Sequence, residues 1–406
     1  MPLFRALFVS NGHGEDHMAG RILDRLAGVK ALEIEAWPMV GEGGAYAARG
    51  IRRIGPRNML PSRGFATLSL PLFLKDLKAG WISTHLSQFR AARALRGRFH
   101  LALAVGDVVP MAAAVLARLP FLFVGCAKSA YYRYGYTAWE KALLRRFCLL
   151  AFPRDRPTAG VLARAGVRVR CAGIPMMDDL APSGRGFGAA PDTALLGLLP
   201  GSRHDDLENA ATLLSVTAEA AGIMGPGRKV MGLVAAHPGF DLPAFRSMMA
   251  RPGPKSGGWE AGLADEKPGG AGLFFVHRSS GALALVVKRR FADVLHASHV
   301  VVGLAGTANE QAVGLGKPLV TFPTPGHFGK NYVRMKMELF GEAAVAVPPR
   351  PCDAARAVVE ILNDPALSRR MGETGRGRMG GPGASDAVAA ALLSNLLRLR
   401  AEEKLP

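Results

Sequence analysis

The sequence predicts an α/β protein built from two doubly wound parallel-sheet domains. Three observations carry that expectation. At 406 residues the chain exceeds one ordinary core, and two domains fit its length. Through the first half, short apolar runs alternate with helical patterns, and the runs are apolar throughout, as strands covered on both faces require. The same alternation then restarts at LLGLLPGSR, after the glycine-, alanine- and proline-rich stretch APSGRGFGAAPD.

In order, strands are expected at Leu3 to Ser10, Leu32 to Trp37, Leu101 to Val105, Phe121 to Val124, Leu149 to Phe152 and Val167 to Ala172. Helices are expected between them, as at Asp16 to Leu26 and Val108 to Leu119. The second half offers strands at 195–199, 230–235, 273–276, 300–304 and 318–322. Residues 251–272 hold too much glycine and proline for a core element and read as a surface insertion. These elements divide the chain into a first domain over 1–180, a linker over 181–194 and a second domain over 195–380. A last helical pattern over 381–406 has no strand after it and either closes the second domain or packs back on the first.

Hydrophobic residues make up 49% and charged residues 20%, a globular balance that excludes a disordered chain. The net charge of +19 attracts polyanions such as phosphorylated substrates or an anionic membrane face. An alanine-, glycine- and arginine-rich composition accounts for much of the same excess. No basic tail, zinc-finger spacing or aromatic RNA-binding run accompanies it, so no nucleic-acid partner is expected. Cys126, Cys148, Cys171 and Cys352 form no CxxC pair, which fits reduced thiols in the cytoplasm. The start of the chain lacks the build of a signal peptide, and the apolar stretch 101–125 is broken by Asp107, Pro110, Arg118 and Pro120. Residues 65–99 interleave Phe73, Leu74, Trp81, Ile82, Leu86 and Phe89 with lysines and arginines; they read either as a surface that lies on anionic lipid or as a solvated basic helix face.

Four loops hold the candidate chemistry. NGHGED follows the first strand, with Gly12 and Gly14 in GxG spacing, but His17 stands where a dinucleotide fingerprint has its third glycine. Glu15 and Asp16 would repel a phosphate there, whereas His13, Glu15 and Asp16 suit sugar hydroxyls or proton transfer. Asp16 as a helix N-cap is the structural alternative. In AVGDVVP, Asp107 leaves a second apolar strand, either as part of the same site or as an N-cap. In LLPGSRHDDLE, Gly201 turns the chain, Ser202 is placed to cap a helix with Asp205 or Asp206 reaching back, and Arg203 is placed to face an anion. In VVGLAGTANEQ the turn has no acidic residue. Gly306 and Thr307 therefore suit a phosphate at a helix N-terminus, with Glu310 or Gln311 one turn on for ribose hydroxyls.

SNGHGED, FPRD at 152–155, AGIPMMD at 172–178, LLPGSR at 198–203 and GTANEQAVGLGKP at 306–318 together resemble the GT-B-fold glycosyltransferases, and among them the lipid-A-disaccharide synthases and their related proteins. The peptidoglycan N-acetylglucosaminyltransferase and the UDP-N-acetylglucosamine 2-epimerase are more distant look-alikes. The resemblance implies two Rossmann-like domains facing a central cleft. It implies transfer of a sugar from a UDP-sugar donor to a lipid-linked or amphiphilic acceptor, without cofactor or metal, in a cytoplasmic protein peripheral to the inner face of the membrane. By the same resemblance Asp16 stands at the aspartate of a GExSGD-type loop, Asp107 stands near an acidic residue that the synthases use in catalysis, Arg203 matches the LPGSR arginine, and Gly306 and Thr307 match the turn that holds the nucleotide. Aligning Pro318 puts Gln311 rather than Glu310 at the synthase glutamate, and Ile174 replaces the asparagine of a GNP motif. A UDP-sugar epimerase and a non-catalytic sugar-nucleotide-binding protein are the alternatives.

Overall fold

The computed structural model of the chain describes residues 4–57, 81–202, 205–251, 257–263, 272–325 and 328–402. Arg203 and the 65–80 part of the basic amphipathic stretch lie outside the described residues. The chain divides into two units, Met1–Asp179 with Gly380–Pro406 and Leu180–Met379.

In the first unit β1 (Phe4–Ser10) pairs in parallel with β2 (Leu32–Pro38) on one side and β4 (Leu101–Val105) on the other. With β3 (Arg52–Arg53), β5 (Phe121–Gly125) and β6 (Cys148–Pro153) they form one six-stranded sheet in the order β3-β2-β1-β4-β5-β6. Every residue of LALAV and FLFVG is buried, because α1 (His13–Leu26), α2 (Gly44–Ala47), α3 (Trp81–Ala94), α4 (Val108–Leu116), α5 (Ala138–Phe147) and α6 (Arg156–Arg164) follow the strands and cover the sheet. Helix α1 buries Met18, Ile22 and Leu26 at four-residue spacing, which sets its inward face. Helix α5 starts at a reciprocal capping box between Thr137 and Glu140. Around β1 the core gathers Leu7, Val9, Trp37, Phe99, Phe121 and Phe123. Each such side chain contributes about 1.5–3 kcal/mol, against about 0–1 for a surface ion pair, so packing decides this fold.

The second unit contains β7 (Ala194–Leu199), α7 (Asp206–Met224), β8 (Val230–Ala236), α8 (Leu242–Ala250), β9 (Trp259–Leu263), β10 (Gly272–His277) and β11 (Leu283–Lys288). It continues through α9 (Phe291–Ala297), β12 (Val300–Gly303), α10 (Thr307–Gly314), β13 (Leu319–Thr321), α11 (Lys330–Phe340), β14 (Ala344–Ala346), α12 (Pro351–Asn363) and α13 (Pro365–Met379). The sheet order is β14-β13-β12-β7-β8-β11-β10-β9. Its first six strands are parallel, whereas β10 runs antiparallel to β11 and β9, so this sheet is mixed.

Helix α14 (Ala384–Ala401) belongs to the first unit and packs on α1. Both carboxylate oxygens of buried Asp178 accept from its first turn, from the N–H of Gly383 at 2.5 Å and of Ser385 at 2.7 Å. Arg25 joins α1 to Asp386 at 3.1 Å.

Residues 181–194 are held against the second unit: Ser183 bonds both oxygens of Asp293, and Arg290 stacks on Phe187 at 4.2 Å while donating to the carbonyls of Arg185 and Gly186. Two expectations need correction. The 251–272 insertion holds β9, whose backbone is satisfied by antiparallel pairing with β10. Val167 to Ala172 contributes only a single parallel bridge, Ala151 to Val169.

Candidate functional site

The first sheet changes direction between β1 and β4, so the loops leaving these two strands diverge and open a crevice at the carboxyl edge. NGHGED and GD both stand there. Asn11 bridges them: its amide donates to Oδ2 and Oδ1 of Asp107 at 3.0 and 3.2 Å. Asp107 also caps α4, accepting from the Val109 N–H at 2.9 Å, so its two expected roles coincide in one side chain. Burial pushes its carboxyl above the ordinary range, against the pull of Val109, Asn11 and the Lys128 ammonium. Lys128 leaves the next strand and is itself paired with Glu140 at 2.7 Å. A half-buried carboxylate with a raised pKa and fixed orientation is equipped to accept a proton.

Helix α1 begins at His13, not at Asp16, so Asp16 is no N-cap. Its side chain turns inward and is 1% exposed. The Ser10 hydroxyl donates to Asp16 Oδ1 at 2.6 Å, and Tyr46 meets Ser10 at 2.7 Å. Burial, opposed by the Ser10 bond, raises Asp16 to about 6, and Oδ2 has no hydrogen-bond partner. That geometry removes Asp16 from the surface and leaves His13, Glu15 and Asp107 at the edge. Gly12 and Gly106 leave room for the Glu15 side chain, which lies where their Cβ atoms would be. Gly14 is the second residue of α1. Asn11, Ser10 and Tyr46 were not foreseen. Asn11 opens the NGHGED motif but was given no role, and the Tyr46 contact spans 36 residues and leaves no local trace.

The second sheet has its switch point between β7 and β12, where the PGS and AGT turns leave. Gly201 takes φ +90°, and a Cβ there would stand 3.1 Å from the Leu304 carbonyl, so only glycine lets the two turns approach. Gly306 is the N-cap of α10 and makes no side-chain cap, with Thr307 exposed beside it. Those first-turn N–H groups can receive an anion. Ser202 is exposed and does not cap α7, which starts later, at Asp206; the N-cap there is Asp205, without a side-chain bond. Asp206 instead binds His237 Nε2 at 2.7 Å, while His237 Nδ1 accepts from the Gly239 N–H. Glu310 is buried in an ion pair with Lys336, whose ammonium lies over the Tyr332 ring; Gln311 is the half-exposed member of the pair expected at the ribose. The Lys336 partner lies 26 residues away and was not foreseen. Arg203 falls outside the described residues. Among those described, no three His, Cys, Asp or Glu side chains converge as metal ligands do, and no helix is long and apolar enough to cross a membrane.

No protein-family model and no curated protein matches the sequence. Solved structures do match. The calicheamicin glycosyltransferase CalG4 is 15% identical with a TM-score of 0.59, over 98% of this chain and 100% of that one. MurG of Acinetobacter baumannii is 13% identical with a TM-score of 0.56, over 96% and 99%. The UDP-GlcNAc 2-epimerase of Neisseria meningitidis, bound to UDP-GlcNAc, is 12% identical with a TM-score of 0.51, over 96% and 100%. At these identities the likeness is one of fold, and the chain's two α/β units, one on a parallel sheet and one on a mixed sheet with six parallel strands, are of the GT-B type.

Proposed function

We propose that the protein transfers a sugar, of the N-acetylglucosamine or acylated-glucosamine type, from a UDP-sugar to a hydroxyl of a lipid-linked acceptor, as in the lipid-A-disaccharide synthases it resembles. The observation that carries this reading is Asp107, oriented by Asn11 and the Val109 N–H with its pKa raised, at the switch point of the first unit. The acceptor hydroxyl loses its proton to Asp107, its oxygen bonds to the anomeric carbon, and the bond from that carbon to the diphosphate breaks. The first turn of α10, at Gly306 and Thr307, stabilises the charge that develops on departing UDP. On this reading Gln311 faces the ribose, and His13 and Glu15 contact the acceptor. The protein sits peripherally on the inner membrane face, with exposed Leu86 beside Arg90 and Arg93 on α3.

Asp107→Asn is expected to lower transfer about 10²–10⁴-fold while leaving UDP affinity unchanged. Turnover unaffected by this change would remove the base, and equal rates on water-soluble and lipid-linked acceptors would remove the membrane position. A second reading, UDP-sugar epimerisation, has support from the epimerase fold match and needs no acceptor. Rapid conversion of UDP-GlcNAc alone into its epimer would favour it.

A further inference from the structure

Gly106 donates its N–H to the Val124 carbonyl at 2.9 Å, so the chain leaving β4 at Asp107 runs beside the turn that leaves β5 through Cys126, Ala127 and Lys128. That turn is anchored on both sides of the lysine. The Cys126 carbonyl accepts from Arg154 at 2.8 Å, and the buried Ser129 hydroxyl donates to Asp155 at 2.6 Å. The far end of the side chain is fixed as well: the Lys128 ammonium donates to Glu140 Oε2 at 2.7 Å and lies 5.9 Å from the centre of the Tyr136 ring. Gly125 admits that ring, because a Cβ there would collide with the Tyr136 hydroxyl.

Glu140 is 1% exposed, and its two oxygens are used unequally. Oε2 takes Lys128, the Thr137 N–H at 2.8 Å and the Thr137 hydroxyl at 2.7 Å, whereas buried Oε1 has no hydrogen-bond partner. Burial opposes its ionisation, but Lys128 and the Thr137 donors outweigh it and hold the carboxyl below the ordinary range. Glu140 is thus a standing negative charge, and a buried charge acts further than one in water. Both charges reach Asp107 with opposite signs: the ammonium lowers its affinity for a proton and, more weakly, the Glu140 carboxylate raises it. Of the other charged or titratable groups on this edge, Glu15 of α1 lies against Gly106 and His13 packs on Gly41. Arg154 and Asp155, at the end of β6, are engaged with the Cys126 carbonyl and Ser129.

We propose that Lys128 and Glu140 are positioning residues that poise Asp107 as a base: the ammonium keeps the buried carboxylate ionised, and the Glu140 charge keeps it basic enough to take a proton. That the proton comes from an acceptor hydroxyl rests on the transfer reading above; the coupling of the three charges does not. A base must be both ionised and avid for a proton near the working pH, and two opposed charges held 2.7 Å apart set the balance between those demands.

Carbon-13 NMR of protein labelled at its aspartate carboxyl groups follows Asp107 without any substrate, its resonance being the one lost in Asp107→Asn. Lys128→Met should move the Asp107 titration up by about one pH unit, and Glu140→Gln should move it down. Lys128→Arg keeps the charge and should titrate as the wild type does. Glutamine preserves the capping box at Thr137, so Glu140→Gln reads the same coupling even where Lys128→Met does not fold. Loss of packing alone would leave both titrations in place or move them the same way, and either result overturns the proposal. The acid limb of kcat/KM for UDP-GlcNAc consumed with water as the acceptor should follow the same two opposite shifts. A resonance that moves as stated while the limb stays in place keeps the coupling and overturns only the transfer reading.

Discussion

Asp16 and Asp107 leave neighbouring strands of one sheet, yet their surroundings give them different work. Asp16 is sealed behind Ser10 and Tyr46, and its carboxyl rises from 3.8 to about 6 through burial. The protonated form is therefore the one the folded state favours, and its stabilising contribution, complete below about pH 4, is lost as pH rises through about 6. The difference corresponds to about 3 kcal/mol. Urea unfolding of wild type and Asp16→Asn should show their stability difference moving in favour of the variant by up to that amount between pH 4 and 7. A difference constant across that range would show that Asp16 is not buried as described. Both aspartates were visible in the sequence as acidic loop residues at a strand end. Which one faces solvent was not, because burial of Asp16 follows from α1 starting three residues earlier than the pattern suggested and from Tyr46, a contact 36 residues away.

Elements were legible where their apolar runs were bounded by turns, as at FRALFVS, LALAV and FLFVG, and where glycine turns led into helices. The missed ones share a physical cause. LALVVK at β11 lies just before α9, and a short apolar run beside a helix has no period of its own. Strand β9 hides in a glycine-rich stretch because its stability comes from pairing with β10 rather than from composition. AGIPMMD was recognisable as a motif, but the role of its aspartate was not, since Asp178 reaches a helix 205 residues away. That carboxylate caps the first turn of α14 and is 2% exposed. Asp178→Ala should lower stability by about 2 kcal/mol and release the Gly383 and Ser385 amides to hydrogen exchange before the rest of α14. Unchanged protection of those two amides would assign the docking of α14 to packing alone.

For the whole molecule, each unit carries its own sheet, its own switch point and its own pair of turns there, so the two halves can be asked separately what they bind. The asymmetry read from the sequence, acidic turns in the first half and a phosphate-compatible turn in the second, has a counterpart in placement: Asp107 and Glu15 on the first edge, Gly201, Gly306 and Thr307 on the second. Hydrogen exchange with and without UDP tests the central claim most directly, because a nucleotide that binds only the folded state slows exchange where it sits. The expected result is protection of backbone amides around Gly201 and Thr307 to Glu310, with the first unit unchanged. Protection confined to the first unit, or none at UDP concentrations in the millimolar range, would contradict it.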